Sequence, residues 1–162
     1  MDYTYTQHSE LAQRYQSGVK WFYWIAGLTI ITSLITIFGG GIRFLISLGI
    51  TQFIDGMATA LAAHFGGAVQ VVGLILDLIV TGVFVVFGVL AGKKMLWAYV
   101  AGMVVFLLDG LLSLAFMDVI GVIAHAVVLF VMFRGFQAGR DLISLEKLMA
   151  EQAATAAQQP AI

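Results

Sequence analysis

The sequence predicts an all-α integral membrane protein: four transmembrane helices in an antiparallel bundle, with an amphipathic or re-entrant helix at the outer face between spans 1 and 2. Three observations lead there. Of 162 residues, 61% are hydrophobic and 10% charged, and the mean hydropathy is +1.00, whereas a soluble domain is roughly 45–50% apolar and about 25% charged. Several apolar runs exceed the ~18 residues that mark a membrane span. Lys93 and Lys94, and then Met117 and Asp118, are all that separate the last three runs, and such short connections predict antiparallel neighbours.

Composition also sets exclusions. The net charge of −1 supplies no basic field for nucleic acid. With no cysteine, disulfides, thiolate zinc sites and iron–sulfur clusters are ruled out.

Residues 1–19 are polar and form a cytoplasmic N-terminal segment in which Ser9 is placed to cap a short helix. The first span covers 20–38. Trp21, Tyr23 and Trp24 gather at its start, as at a headgroup interface, and Gly39, Gly40 and Gly41 end it. No small-residue cleavage pattern follows it, so it reads as a retained span. Residues 39–69 are long enough to cross, yet Arg43, Ser47, Thr51, Asp55 and Thr59 recur every four residues. That stripe suits an interfacial or re-entrant helix and makes the segment an outer cap. The remaining spans are 70–92, 95–116 and 119–137. Leu142, Leu145 and Met149 suggest a short amphipathic helix in the 138–162 cytoplasmic tail, which frays out at its end.

Charge decides the count of crossings. With four spans, Arg14, Lys20, Lys93, Lys94, Arg134, Arg140 and Lys147 fall on one side and Arg43 on the other. The positive-inside rule then puts both termini in the cytoplasm, in a plasma or inner membrane.

Three ionisable residues lie inside the spans. Asp77 is seven residues into the second, Asp109 seven before the end of the third, and His125 six into the fourth. At ~1.5 Å per residue, each is roughly 9–11 Å below the outer end of its helix. Each shares a face with small or polar residues: Gln70, Thr81 and Gly88 beside Asp77; Ala98, Gly102 and Ser113 beside Asp109; Asp118 and Gly121 beside His125. Thr29, Thr32, Ser33 and Thr36 give the first span a hydroxyl face. Small residues allow helices to approach closely, so the simplest packing turns these faces inward and gathers Asp77, Asp109 and His125. Phe84, Phe87, Phe106 and Phe130 then fall toward lipid or the seams between helices.

An Asp at a helix centre costs about 2.5–3.5 kcal/mol on insertion scales, so the group needs a compensating partner. Carboxylate and imidazole suit a divalent metal such as zinc, manganese or iron. The candidate ligand set is Asp77, Asp109 and His125, with Asp55 and His64 descending from the cap. A proton or cation pathway, and polar glue between helices, are the competing readings.

Three functions therefore stand: a binding or transport module built on an intramembrane Asp/Asp/His cation or metal site; an accessory or scaffold subunit of a larger membrane complex; and a membrane-embedded metal-dependent hydrolase in which the metal activates water. The expected surroundings are the lipid bilayer and partner membrane subunits or further copies of the chain, without nucleic acid. The glycine pairs lack the setting of a phosphate loop. The apolar-apolar-Asp pattern at Asp55, Asp77 and Asp109 is too short to mark a repeat.

Overall fold

The computed structural model describes residues 2–37 and 48–158, all organised by helices. These are α1 (Asp2–Ile37), α2 (Gly49–Phe65), α3 (Ala68–Gly92), α4 (Leu96–Ala115) and α5 (Val119–Gln158). Gly39, Gly40, Gly41, Arg43 and Ser47, assigned to the end of the first span and to the polar stripe, lie outside the described residues.

Four of the five helices are long and apolar enough to cross a membrane: α1, α3, α4 and α5. The 25 residues of α3 extend about 37 Å, more than the ~30 Å hydrocarbon layer. Surface composition agrees with that reading. Leu78, Ile79, Leu108, Leu111, Ile123 and Phe130 are all roughly half exposed, which suits hydrocarbon surroundings and not water. Helices α1 and α5, with 36 and 40 residues, extend past any span into polar sequence. The alanine-rich end of α5 remains helical to Gln158, where fraying was expected; alanine is the strongest helix former.

Helix α1 packs on α3 and α5, and α4 packs on the same two, so the four form a ring. Contacts step in opposite senses along neighbouring helices. Between α1 and α3, the Tyr15 hydroxyl donates to the Ala91 carbonyl and, further along α1, Ser33 reaches Asp77. Between α4 and α5, Tyr99 meets Met132 and Asp109 meets His125. Glycine permits the tightest crossing. A Cβ on Gly135 would stand 2.8 Å from the Gly18 Cα, closer than real Cβ contacts come, so the α1–α5 crossing requires a residue without one. The connections are equally tight. Lys94 and Met117 adopt φ of 62° and 57°, the left-handed conformation that ends a helix abruptly.

The core is aromatic at mid-depth. Phe22, Phe84, Tyr99 and Phe106 are fully enclosed. Phe22 meets the edge of Tyr99 at 5.3 Å between centroids, and Phe84 meets Phe106 at 6.2 Å, arrangements favoured by the ring quadrupole. This differs from the sequence expectation for Phe84 and Phe106. Beneath the polar layer the bundle interior needs bulk, and small residues such as Gly102, which packs against Phe22, open the space for it. Phe130 does face outward, at 62% exposure.

Helix α2 has the reverse of the amphipathicity of a soluble surface helix. Its inward side carries Thr51, Asp55 and Ala58. Its outward side carries Phe53, Met57, Leu61 and Phe65 at four-residue spacing, all exposed, while Phe53 stacks on Phe116 of the α4–α5 turn at 5.7 Å. The polar stripe thus turns toward the bundle at Thr51 and Asp55, and only Thr59 of its described members is exposed. Against α3 the packing is close: a Cβ on Gly73 would lie 2.8 Å from that of Ala58.

Candidate functional site

The polar interior of the bundle resolves into two centres, one built on Asp109 and the other on Asp77.

In the first, Asp109 of α4 and His125 of α5 are both buried, and Asp109 Oδ2 lies 2.9 Å from His125 Nε2. The other ring nitrogen, Nδ1, is 2.7 Å from the Gly121 carbonyl one turn earlier on α5. Nδ1 faces an acceptor, and Nε2 and Asp109 Oδ2 share one proton between them. Gly110 clears the approach, since a Cβ there would sit 3.1 Å from that of His125. Phe106 lies against the other side of the ring at 4.5 Å between centroids.

The Asp109 carboxylate has a second task. The backbone N–H of Gly49 donates to Oδ2 at 2.7 Å and that of Ile50 to Oδ1 at 2.9 Å. These belong to the first turn of α2, whose own preceding residue, Leu48, offers no side-chain cap. Asp109 therefore caps α2 from a different helix. It satisfies donors that the helix itself leaves open and places negative charge at the positive end of the helix dipole. Thr29 of α1 completes the anchorage, accepting the Leu48 N–H at 3.0 Å. Gly49 fits closely here: a Cβ on it would lie 2.9 Å from Ser113 Oγ, which would have to turn away, and 3.6 Å from Asp109 Oδ1.

In the second centre, Asp55 of α2 and Asp77 of α3 are close enough to influence each other. They are 7% and 2% exposed. Ser33 of α1 donates to Asp77 Oδ2 at 2.8 Å. That leaves Asp55 Oδ2, Asp77 Oδ1 and Thr81 Oγ1 buried without a hydrogen-bond partner. Thr81 is one helical turn from Asp77 on the same face of α3 and is 2% exposed. Two carboxylate oxygens cannot bond each other without a proton or cation between them, so this centre is chemically incomplete in a way that the first is not.

The sequence-predicted residues are thus distributed in pairs. Asp109 is joined to His125 and Asp55 to Asp77, while His64 is exposed near the end of α2. Among the described residues, no group of three or more His, Asp or Glu side chains is placed to hold a metal ion. The inward faces predicted for Asp77, Asp109 and His125 are observed, and Ser33 and Thr81 fall on the faces expected of them. Sequence reasoning missed the amides of Gly49 and Ile50. The sequence carries no signal for them, since Ser47, next to Leu48, reads as an ordinary start for the helix.

A lateral cleft adjoins the first centre. It has a volume of about 320 Å³ and is lined by Leu48, Ile50, Val80, Phe84, Val105, Leu108, Asp109 and Leu112. Its walls are otherwise apolar, and Asp109 is already engaged by three donors.

Compared with protein-family models, curated proteins and solved structures, the chain shows no match.

Proposed function

We propose that the protein is a small membrane-embedded binding or transport module for a cation, the proton included, and that Asp55 and Asp77 form its binding centre. One observation carries this reading: each of the two buried carboxyl groups keeps an oxygen without a partner. Bare carboxylates in a bundle interior are expensive, and a positive species between them removes the cost. The opposed stepping of contacts along adjacent helices supports an antiparallel four-helix bundle. The apolar outward face of α2 supports a re-entrant segment that delivers Asp55 from the outer side, with both termini cytoplasmic as the basic residues suggest.

In this reading Asp109 and His125 hold the scaffold. All of their polar atoms are engaged, with each other, with Gly121 and with the start of α2. The reading departs there from a transition metal shared by Asp77, Asp109 and His125, because ligation would strip α2 of its cap. No observation favours a hydrolase.

The test is ion flux in proteoliposomes loaded with pH-sensitive or cation-sensitive dye, together with the pH dependence of thermal stability. Asp77→Asn and Asp55→Asn should each abolish flux and flatten the pH dependence. Asp118→Asn, at the outer turn, should do neither. Wild-type vesicles no leakier than empty ones, with stability indifferent to pH and to both substitutions, would leave the scaffold-subunit reading.

A further inference from the structure

Resting on the reading of Asp55 and Asp77 as a cation centre, we infer that its ligand is a hard monovalent cation of the sodium type, held by oxygen alone, with Thr81 as a third protein ligand.

The donor set points that way. The three unpartnered atoms are two carboxylate oxygens and one hydroxyl oxygen, and the nearest further group, the Ser33 hydroxyl, is also an oxygen. Among the described residues, no imidazole or thiolate is free to join them. Both nitrogens of His125 are used, His64 is exposed, and the chain has no cysteine. Transition metals favour imidazole and thiolate, while hard cations favour carboxylate, carbonyl and hydroxyl oxygen. Ligand number and charge separate the hard cations. Calcium takes about six to eight oxygens, and magnesium demands a near-ideal octahedron. Three protein oxygens and a neighbouring serine fall short of the calcium shell, while magnesium keeps several of its waters and is set apart from a monovalent ion by charge alone.

Charge gives the same answer. Among the described residues, Ser33 from α1 and Asp55 from α2 are the polar groups facing Asp77, and Thr81 lies on its own helix. The titratable groups of the outer halves of α4 and α5, Asp109 and His125, balance each other. The carboxyl pair therefore carries at most two negative charges. Two neighbouring buried carboxyl groups resist double ionisation, so one proton is retained and a single monovalent ion completes neutralisation; with two protons, no ion is needed. Proton and cation compete for the same oxygens, so occupancy must rise as protons leave.

Thr81 explains what a bare carboxyl pair would not. A proton shared by Asp55 and Asp77 satisfies their two free oxygens but leaves a buried threonine hydroxyl idle. A cation between the carboxyl groups and one turn deeper engages all three.

The experiment uses the purified full-length protein in detergent or nanodiscs. Thermal stability is followed between about pH 6 and about pH 9 in chloride salts of sodium, lithium, potassium, calcium and choline at equal ionic strength, with added zinc or manganese as a separate arm. Sodium or lithium should raise the melting temperature relative to choline at alkaline pH, and the gain should shrink as pH falls. Thr81→Val should weaken the apparent sodium affinity roughly tenfold or more, the loss of a hydrogen-bond-strength contact, and Thr81→Ser should restore most of it. Asp77→Asn should remove the response; if that variant does not fold, the threonine pair carries the test. Stabilisation by zinc, manganese or calcium in place of sodium would overturn the inference. So would a Thr81→Val protein that binds sodium as the wild type does. A stability that responds to pH through Asp77 but to no cation would make the centre a proton site, leaving the proposed function intact and this inference refuted. Indifference to both would remove both.

Discussion

Phe106 covers one face of the His125 ring, with centroids 4.5 Å apart and planes 24° from parallel. Both ring nitrogens are engaged, and with the proton shared with Asp109 resting on Nε2 the contact is that of a cation over an aromatic face in a desolvated site. Phe84 provides the comparison: it is equally buried, but its ring neighbours are Phe22, Phe87 and Phe106. Phe106→Leu and Phe84→Leu should both lose core packing, and Phe106→Leu should cost roughly 1 kcal/mol more. Equilibrium unfolding in mixed micelles measures the difference. Equal losses would mean that the imidazole ring is neutral or that its charge is fully spent on Asp109.

Asp109→Ala should be the most damaging single change in the bundle. It leaves the His125 charge without a partner, at about 3–5 kcal/mol for a broken buried pair, and it uncaps α2, at about 1 kcal/mol. The two effects are separable. Amide hydrogen exchange at Gly49 and Ile50 should accelerate in Asp109→Ala but remain slow in His125→Gln, which keeps the carboxylate. Unchanged exchange at both amides in Asp109→Ala would show that α2 is held by other contacts.

The reversed amphipathicity of α2 predicts that Met57 meets hydrocarbon. Because the chain has no cysteine, Met57→Cys provides a unique attachment point for a spin label. In proteoliposomes its label should be relaxed by oxygen more than by a water-soluble nickel chelate, as should one on Phe53→Cys. A label more accessible to nickel would place this face in water, and Phe53, Met57, Leu61 and Phe65 would then constitute an exposed apolar patch seeking a protein partner.

At the opposite end, Glu146 ties together three parts of the chain. Its carboxylate meets Lys94 Nζ at 2.5 Å and His8 Nε2 at 3.0 Å, beyond the apolar part of α5. Those two neighbours hold the Glu146 carboxyl below its ordinary value of 4.5. A depressed folded value means that the contribution is fully present above the ordinary value and is lost as pH falls through the lower, folded one. A third of the side chain is exposed, so the contribution is that of a surface pair, about 0.5–1 kcal/mol at most. Glu146→Gln should cost about that much at neutral pH, less at high salt, and nothing once wild-type Glu146 is itself protonated. A difference that survives strong acid would point to packing and not charge.

The four long helices were legible because lipid leaves few options: a chain must satisfy its backbone internally, and uninterrupted apolar runs show where it does so. The inward faces of Asp77, Asp109 and His125 were legible for a related reason, since charge in a span has to turn away from lipid. What the sequence could not show was how these residues pair. Helical spacing gives face and depth but not the rotation of one helix against another, so three residues at one level were expected to share one centre, whereas Asp109 goes to His125 and Asp77 to Asp55. The polar stripe of α2 was found by its period, but a period does not reveal which side meets water, lipid or protein. The cap on α2 was beyond reach, because Asp109 and the amides it accepts are joined by tertiary structure alone.

That cap also bears on how the protein is made. Gly49 and Asp109 are 60 positions apart in the chain, and ribosomes add about 5–20 residues per second. Helix α2 is therefore synthesised several seconds before the residue that accepts its first amides, and the histidine that steadies that residue follows later still. During this interval α2 has α3 and Thr29 to pack and anchor on, but its first amides lack their acceptor. Capping of α2 therefore waits for the last hairpin, and a chain that stops short of it leaves the Gly49 and Ile50 amides open.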